Sequence, residues 1–436
     1  MKNLFTLIVI VMLSTFQSKA QNPNPALIGY WQNWNDVNSP YIPLDQIDSR
    51  YNIIDVAFAV PQSGTDYQMQ FVPDQGTVSS FISKIQTLQS QGKKVIISIG
   101  GATAPISLNN FAERDSFINS MNQIINTYGF DGIDIDFEGS SILVTGGTIS
   151  SPTDPIIINL IYAIKHIMSD YYTANNKRLL LTMAPETAFV QGGMSAFGGI
   201  WGAYLPVIDA LRDSLEILHV QLYNSGSMFG IDGNVYTQGT ADFIIAMTEA
   251  VIQGFNTTIG TFIGLPASKI AIGLPACTSA AGGGFADTAI VQSAVKYLRG
   301  VGPKPGSYTL VQSGGYPTLR GLMTWSINWD AVNSCASTYQ YAGNYSNLFN
   351  VTSSLSDLAL ENASFKVFPN PTKNEINSSI KNFNEKIDVN IFNSIGIIVL
   401  SSLITQENPT IDISNLANGL YFIKIKNRFD KFIKEN

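Results

Sequence analysis

The sequence predicts a (β/α)8 barrel, the TIM-barrel architecture of class α/β, followed by a small C-terminal all-β sandwich. Eight short apolar runs carry the first half of that reading: Leu27–Trp34, Asn52–Val60, Lys94–Gly101, Gly129–Glu138, Arg178–Glu186, Leu215–Asn224, Lys269–Ala276 and Gly321–Asp330. Helix-like stretches separate them, and together they occupy about 300 residues, a length that suits eight βα units. Several runs begin as near-continuous Val, Ile and Leu, as strands covered on both faces do. Their C-terminal ends are instead polar and aromatic: YWQNW, SIGGA, DGIDIDFEG, MAPE, QLYNSG and TWSINWD. A doubly wound sheet is the alternative, but a barrel builds its site at the C-terminal edge of its strands, where these residues gather.

The elements follow in chain order. Lys2, the apolar stretch Leu4–Leu13 and Ser18-Lys19-Ala20 read as a signal peptide over residues 1–20, cleaved after Ala20. A membrane anchor is the competing reading, but the apolar run is shorter than the ~20 residues a span needs, so no membrane span is expected after cleavage. The barrel is assigned to residues 21–350. Within it Phe117, Ile118, Met121, Ile124, Ile125 and Tyr128 form one helical stripe leading into the fourth strand. A linker over 351–363 precedes the sandwich at 364–436. There Ile387–Ile391 and Tyr421–Ile425 alternate as half-buried strands do, and Asn418-Gly419 marks a turn. The tail holds nine of the 25 Lys and Arg and seven of the 32 Asp and Glu, so it is slightly basic on a chain of net charge -7.

Composition narrows the chemistry. Only 13% of the 436 residues are charged and 45% are hydrophobic, which argues against disorder and coiled coil. An acidic chain of pI about 4.9 repels phosphate backbones, so no nucleic-acid partner is expected. Two Cys and two His are too few for a zinc finger or a multi-His centre, so no metal and no cofactor are expected. Neither G-x-S-x-G nor a P-loop is present. In an exported protein Cys277 and Cys335 form either one disulfide or two buried thiols.

The sharpest feature is Asp131-Gly132-Ile133-Asp134-Ile135-Asp136-Phe137-Glu138. Side chains alternate along a strand, so Asp134, Asp136 and Glu138 share one face and Ile133, Ile135 and Phe137 the other. The apolar face should meet helices and the acidic face the barrel interior. Three buried carboxylates in a row raise at least one pKa and favour proton sharing. Glu138, nearest the open end, is the natural general acid. An acidic edge strand, a divalent-cation site and a sugar-binding barrel without catalysis are the competing readings.

The row has the form D-G-x-D-x-D-x-E, and it resembles the signature of glycoside hydrolase family 18, the family of chitinases and chitobiose-releasing endoglycosidases. Ser98-Ile99-Gly100-Gly101, Met183-Ala184-Pro185-Glu186, Gln221-Leu222-Tyr223-Asn224 and Trp325 resemble its third, fifth, sixth and eighth strands. The resemblance covers residue 27 to about 345 and looks most like bacterial chitinases. It implies that the substrate's own N-acetyl group is the nucleophile. Glu138 would then protonate the glycosidic oxygen, and Asp136 would accept the acetamide N–H. Asp134 would share a proton with Asp136, and Tyr223 would donate to the acetamido oxygen. Trp325 would floor the sugar, with Gln221, Met183, Asn224, Trp31 and Trp34 as further substrate-binding residues and Trp329 as another candidate; packing is the alternative for Met183 and the tryptophans. His219 sits deeper than Tyr223 and reads as a satisfied core histidine, and His166 as structural. The Gly282-Gly283-Gly284 run reads as a flexible loop. The segment from Cys277 to Arg320 is too short for the wall-forming insertion some members carry, which implies an open cleft and endo-acting cleavage.

The expected substrate is therefore chitin or N-acetylglucosamine oligosaccharides. An endo-β-N-acetylglucosaminidase on N-glycans, a chitin-binding lectin and a surface adhesin are the alternatives. The tail resembles the sorting domain of the type IX secretion system through Phe368-Pro369-Asn370-Pro371-Thr372, Ile391–Gly396, Ile411-Asp412-Ile413-Ser414, Gly419-Leu420-Tyr421-Phe422 and Lys431-Phe432-Ile433-Lys434. That implies a protein secreted to the outside or kept on the cell surface, with the secretion machinery as partner; an accessory β-domain is the alternative. A monomer is expected.

Overall fold

Eight parallel strands close around a filled interior in a computed structural model that describes residues 22–333, 337–349, 367–378, 387–393, 398–405, 409–425 and 428–435. The strands are β1 (Ala26–Gln32), β2 (Ile53–Pro61), β3 (Lys94–Gly100), β4 (Gly132–Asp136), β5 (Leu180–Met183), β6 (Ile217–Leu218), β7 (Ala271–Pro275) and β8 (Gly321–Trp325). Hydrogen-bonded neighbours run in the order β7-β8-β1-β2-β3-β4-β5-β6. Parallel bridges from Leu218 to Ile270 and from Gln221 to Gly273 join the two ends. The signal segment 1–20, the linker 351–363 and Cys335 lie outside the described residues. Cys277 is disulfide-bonded.

Strand parity sorts the side chains. Ala26, Ile28, Tyr30, Ile53, Ala57, Ile96, Leu180, Ala184, Ile217, Ala271 and Met323 pack together inside the barrel. The alternate residues, among them Leu27, Ile54, Ile97, Ile133, Ile135 and Leu181, join the core between sheet and helices. Helix α1 (Val78–Ser90) begins at a Thr77–Ser80 capping box, whose paired side chains satisfy the first free N–H groups. Helix α2 (Phe111–Tyr128) starts where the Asn110 side chain accepts from the Glu113 N–H, and ends at Gly129 in the left-handed region. Its predicted stripe is buried from Phe117 to Tyr128, and each fully buried apolar side chain of that size stabilises by ~2 kcal/mol.

The sequence divides into two compact units, the first ending at Thr352 and the second beginning at Ser353. In the second, a three-stranded sheet (Val367–Phe368, Glu375–Ser378, Thr410–Asp412) and a four-stranded one (Ile387–Asn393, Ile398–Ile404, Gly419–Ile425, Arg428–Lys434) are all antiparallel. Val367, Ile376, Val389, Ile391, Ile404, Ile411, Ile413, Tyr421, Ile423 and Phe432 form their common core.

Candidate active site

The acidic row lies where alternation puts it. Ile133, Ile135 and Phe137 are fully buried against the helices. Asp134 and Asp136 are buried in the barrel, and Glu138 follows at its mouth, half-buried. Neighbouring strands hold this strand in place. Gly100 sits at φ 112°, and a Cβ there would come within 2.5 Å of the Asp136 carbonyl oxygen, so only glycine allows the approach. The next residue, Gly101, donates its N–H to that same carbonyl at 2.8 Å. Tyr204 takes the Phe137 N–H on its hydroxyl at 2.7 Å and donates towards the Phe137 carbonyl at 3.1 Å. The backbone between Asp136 and Glu138 is thereby pinned from the outer side.

The three carboxyls occupy different environments. Asp134 accepts from Tyr30 Oη at 2.6 Å, Ser98 Oγ at 2.8 Å and Thr182 Oγ1 at 2.6 Å. Burial alone would push it up, but His219 and these hydroxyls pull it below the ordinary carboxylate range. Asp136 goes the other way: burial, then the charges of Glu138 and Asp134, push it well up. Burial also raises Glu138, and the Asp136 and Glu138 carboxyls hydrogen-bond to each other. Asp136 thus lies between two acids, with the charges of both Glu138 and Asp134 acting on it. Tyr223 is buried, and burial followed by the charges of Asp136 and Glu138 keeps its phenol protonated, so it can only donate to an incoming oxygen without losing its proton.

Gln221 turns its amide inward. Nε2 donates to Asp136 Oδ1 at 2.8 Å, Glu138 Oε1 at 3.2 Å and the Ala184 carbonyl at 2.9 Å. It orients the two acids directly. Asn224, at φ 54° and exposed, accepts the Gly283 N–H on Oδ1 at 3.2 Å and gives its own N–H to the Gly283 carbonyl at 3.1 Å. The glycine run is therefore tied to the end of the sixth strand, not loose. Gly284, at φ 93°, lies so close that a Cβ would come within 2.6 Å of the Tyr223 Cα.

An aromatic floor lines the mouth. Trp325 stacks on Phe58 with ring centroids 5.8 Å apart and planes at 11°. Trp34 stacks on Phe58 at 6.3 Å, and Tyr30 meets Trp325 at 5.5 Å. Trp34 is 36% exposed, open enough to meet a ligand. Two residues in the expected sugar-binding set are elsewhere. Trp31 is fully buried among Tyr41 and Phe81, with Nε1 donating to the Ile42 carbonyl at 2.8 Å. Met183 shares its parity with Leu181 and is fully buried in the outer core. Neither reaches the barrel mouth, because odd-numbered residues of those two strands face the helices. Trp329 packs partly buried against the same core.

The structure adds residues the sequence reading did not single out. Phe58 reaches the mouth through a register irregularity in β2 between Val56 and Ala59, which no alternation rule anticipates. Tyr30, Asp55 and Thr182 face inward by simple strand parity, a signal available from the sequence. Glu186 accepts the Gly139 N–H and stands close enough to Glu138 for its charge to be felt there. Asp55, Asp134 and His219 bring potential ligand atoms within 4.8 Å of one another. Three hydroxyl donors already point at Asp134, which suits an anion accepting hydrogen bonds better than a metal-bound carboxylate. His219 is buried as expected but not satisfied, since neither ring nitrogen has a hydrogen-bond partner.

A closed parallel barrel with a buried acid pair at the C-terminal ends of its strands and an aromatic floor beside it has the layout of a barrel with its site at that edge. Residues 26–357 match Glycosyl hydrolases family 18, and the chain belongs to that family. Residues 366–435 match the Secretion system C-terminal sorting domain. The chain is 50% identical over 327 residues to Chitinase Chi52 of Paenibacillus xylanexedens, covering 73% of this chain and 61% of that one. It is 50% identical over 328 residues to Chitinase D of Niallia circulans, with 73% and 62% covered. To Chitinase ChiA of Flavobacterium johnsoniae it is 34% identical over 414 residues, 90% of this chain but 26% of that one. A family GH18 chitinase structure from Chromobacterium violaceum superposes with a TM-score of 0.66 at 36% identity, over 75% of this chain and 83% of that one. The chain spans about three-fifths of the length of the first two relatives.

Proposed function

We propose that this chain is a secreted chitinase that hydrolyses β-1,4 bonds between N-acetylglucosamine units by substrate-assisted, retaining, endo-acting catalysis. The hydrogen bond between Asp136 and Glu138 carries the mechanism. Two-carboxylate glycosidases hold their acids about 5 to 9.5 Å apart, on either side of the scissile bond. Acids so close together are poorly placed to flank that bond, which supports an attacking oxygen supplied by the sugar. Glu138 gives its proton to the glycosidic oxygen as that bond breaks. The acetamido oxygen of the same sugar bonds to the anomeric carbon, forming an oxazolinium ion. Asp136 accepts the acetamide N–H and offsets the developing positive charge. Tyr223 donates to the acetamido oxygen and holds it in line. Water then opens the ring, returning a proton to Glu138 with net retention.

Trp325, Phe58 and Trp34 supply apolar faces for pyranose C–H groups. Between Cys277 and Arg320 the chain forms a short 3-10 turn, one helix (Thr288–Leu298) and irregular segments, with no α+β wall; this supports an open cleft. Export follows from the sorting domain, with the type IX machinery as partner. Mass spectrometry of products from chitin pentamer, alongside a high-mannose glycoprotein, tests the reading. Internal cleavage of the pentamer to mixed oligomers is expected. Release of N-glycans with the pentamer untouched would replace it by the endo-β-N-acetylglucosaminidase reading, and dimers alone from chain ends would remove the endo-acting part.

A further inference from the structure

Below the acid pair lies a second set of polar groups that the mechanism leaves unused. Asp55, Asp134 and His219 are all fully buried in the barrel interior. His219 Nε2 lies 3.3 Å from Asp134 Oδ1 and 3.7 Å from Asp55 Oδ2. Neither contact is a full hydrogen bond, and both Asp55 oxygens and both His219 nitrogens lack any hydrogen-bond partner. Buried polar atoms left this way are costly, so a barrel that keeps four of them calls for a reason beyond packing.

We propose that Asp55 and His219 form a buried positioning pair that holds the Asp134 carboxylate in place beneath Asp136 and Glu138. The consequence for catalysis rests on the chitinase reading. Asp134 already receives three hydroxyl donors, from Tyr30, Ser98 and Thr182. An ionised carboxylate is acceptor-only and suits that shell of donors. His219 Nε2 faces the same Asp134 oxygen that Thr182 meets, 3.3 Å away, so a proton on that nitrogen would point at the carboxylate. Asp55 walls the same nitrogen from β2, and burial followed by the charge of Asp134 pushes its carboxyl well up. The imidazole thus meets Tyr30 from β1, Asp55 from β2 and Asp134 from β4, with Ser98 from β3 and Thr182 from β5 donating to the Asp134 carboxylate and Asp136 further along β4. Strands β7 and β8 contribute the apolar Ala271 and Met323. If Asp134 took the proton, Asp136 would lose the charge below it that helps to hold its own proton.

Two measurements on the full chain test this. The sequence has two histidines, His166 and His219, so nitrogen-15 NMR of the imidazoles, assigned with His166→Gln, reads the tautomer of each. Nε2 of His219 is expected to carry a proton, and its resonance should move in Asp55→Asn. A bare Nε2, or one indifferent to Asp55→Asn, overturns the pair. In kinetics on N-acetylglucosamine oligomers, His219→Phe keeps the ring shape and loses the donor. It should lower kcat about tenfold or more with KM nearly unchanged, and move the acidic limb of the kcat profile to higher pH. His219→Gln, with an amide N–H, should recover part of kcat. An active wild type with His219→Phe matching it in kcat and pH profile sinks the pair alone. A wild type inert on every oligomer sinks the chitinase reading, while the nitrogen spectrum still decides the pair; it also decides if His219→Phe does not fold.

Discussion

Glu138 and Asp136 differ from surface carboxyls in one measurable respect: the folded protein keeps their proton at a pH where the unfolded chain has lost it. Burial is the main cause for both. The linkage sign follows. Between the ordinary and the raised pKa the native state binds more protons, so the pair lowers stability as pH rises through that window. Activity falls over the same window, because the general acid is then unprotonated. Glu138→Gln should cost about 10²–10⁴-fold in kcat while oligomer binding, followed by tryptophan fluorescence, survives; unchanged turnover would overturn the assignment. Asp136→Asn should also lose activity, yet melt about 2 °C higher than wild type at neutral pH, since a neutral amide has no charge to bury. Thermal melts at neutral and acidic pH check it: the gain should shrink in acid, where the wild-type carboxyl is protonated.

At the scale of elements, alternation along strands decides which aromatic residues can touch substrate. Trp34 is at the mouth and Trp31 in the outer core, so the two tryptophans should fail in opposite ways. Trp34→Ala should raise KM for oligomers several-fold with melting little changed. Trp31→Phe should leave KM alone and cost about 1–3 kcal/mol in denaturant unfolding, because the part-buried Ile42 carbonyl loses its donor. The loop after β7 offers a third test. Gly284→Ala forces a Cβ against the Tyr223 backbone and strains a positive φ, so kcat should drop about tenfold with the fold intact by circular dichroism. The same period-2 logic explains what was legible beforehand. The row Asp134, Asp136, Glu138 alternates with large apolar residues, so its facing could be read directly. Trp31 and Met183 obey the same parity, but their chemistry suits a sugar site as well as a core, and residue type outweighed register. Phe58 was hidden for the opposite reason: an irregular strand carries it inward. His219 and Asp55 could be placed in the interior, but their lack of partners appears only once the neighbouring strands are in place.

Two units with separate hydrophobic cores make up the whole molecule. The shift to Lys- and Asn-rich alternation near residue 364 showed the boundary in the sequence, because a small sandwich and a large barrel bury different proportions of their chains. All the groups assigned to catalysis come from the barrel, from Tyr30 to Trp325, and none from the sandwich. A chain ending at Thr352 should therefore hydrolyse soluble oligomers with unchanged kcat and KM, and unfold in the same barrel transition as the full chain. The full chain should show one further, smaller transition in calorimetry, as a unit with its own core does. The tail's contribution should appear only in the export of the protein by a host carrying the type IX machinery, where the shortened chain should stay in the periplasm, fully active on lysis. A large loss of kcat on removing the tail would mean that the sandwich supports the active site, and would replace the division into an enzyme and a sorting domain with a single functional unit.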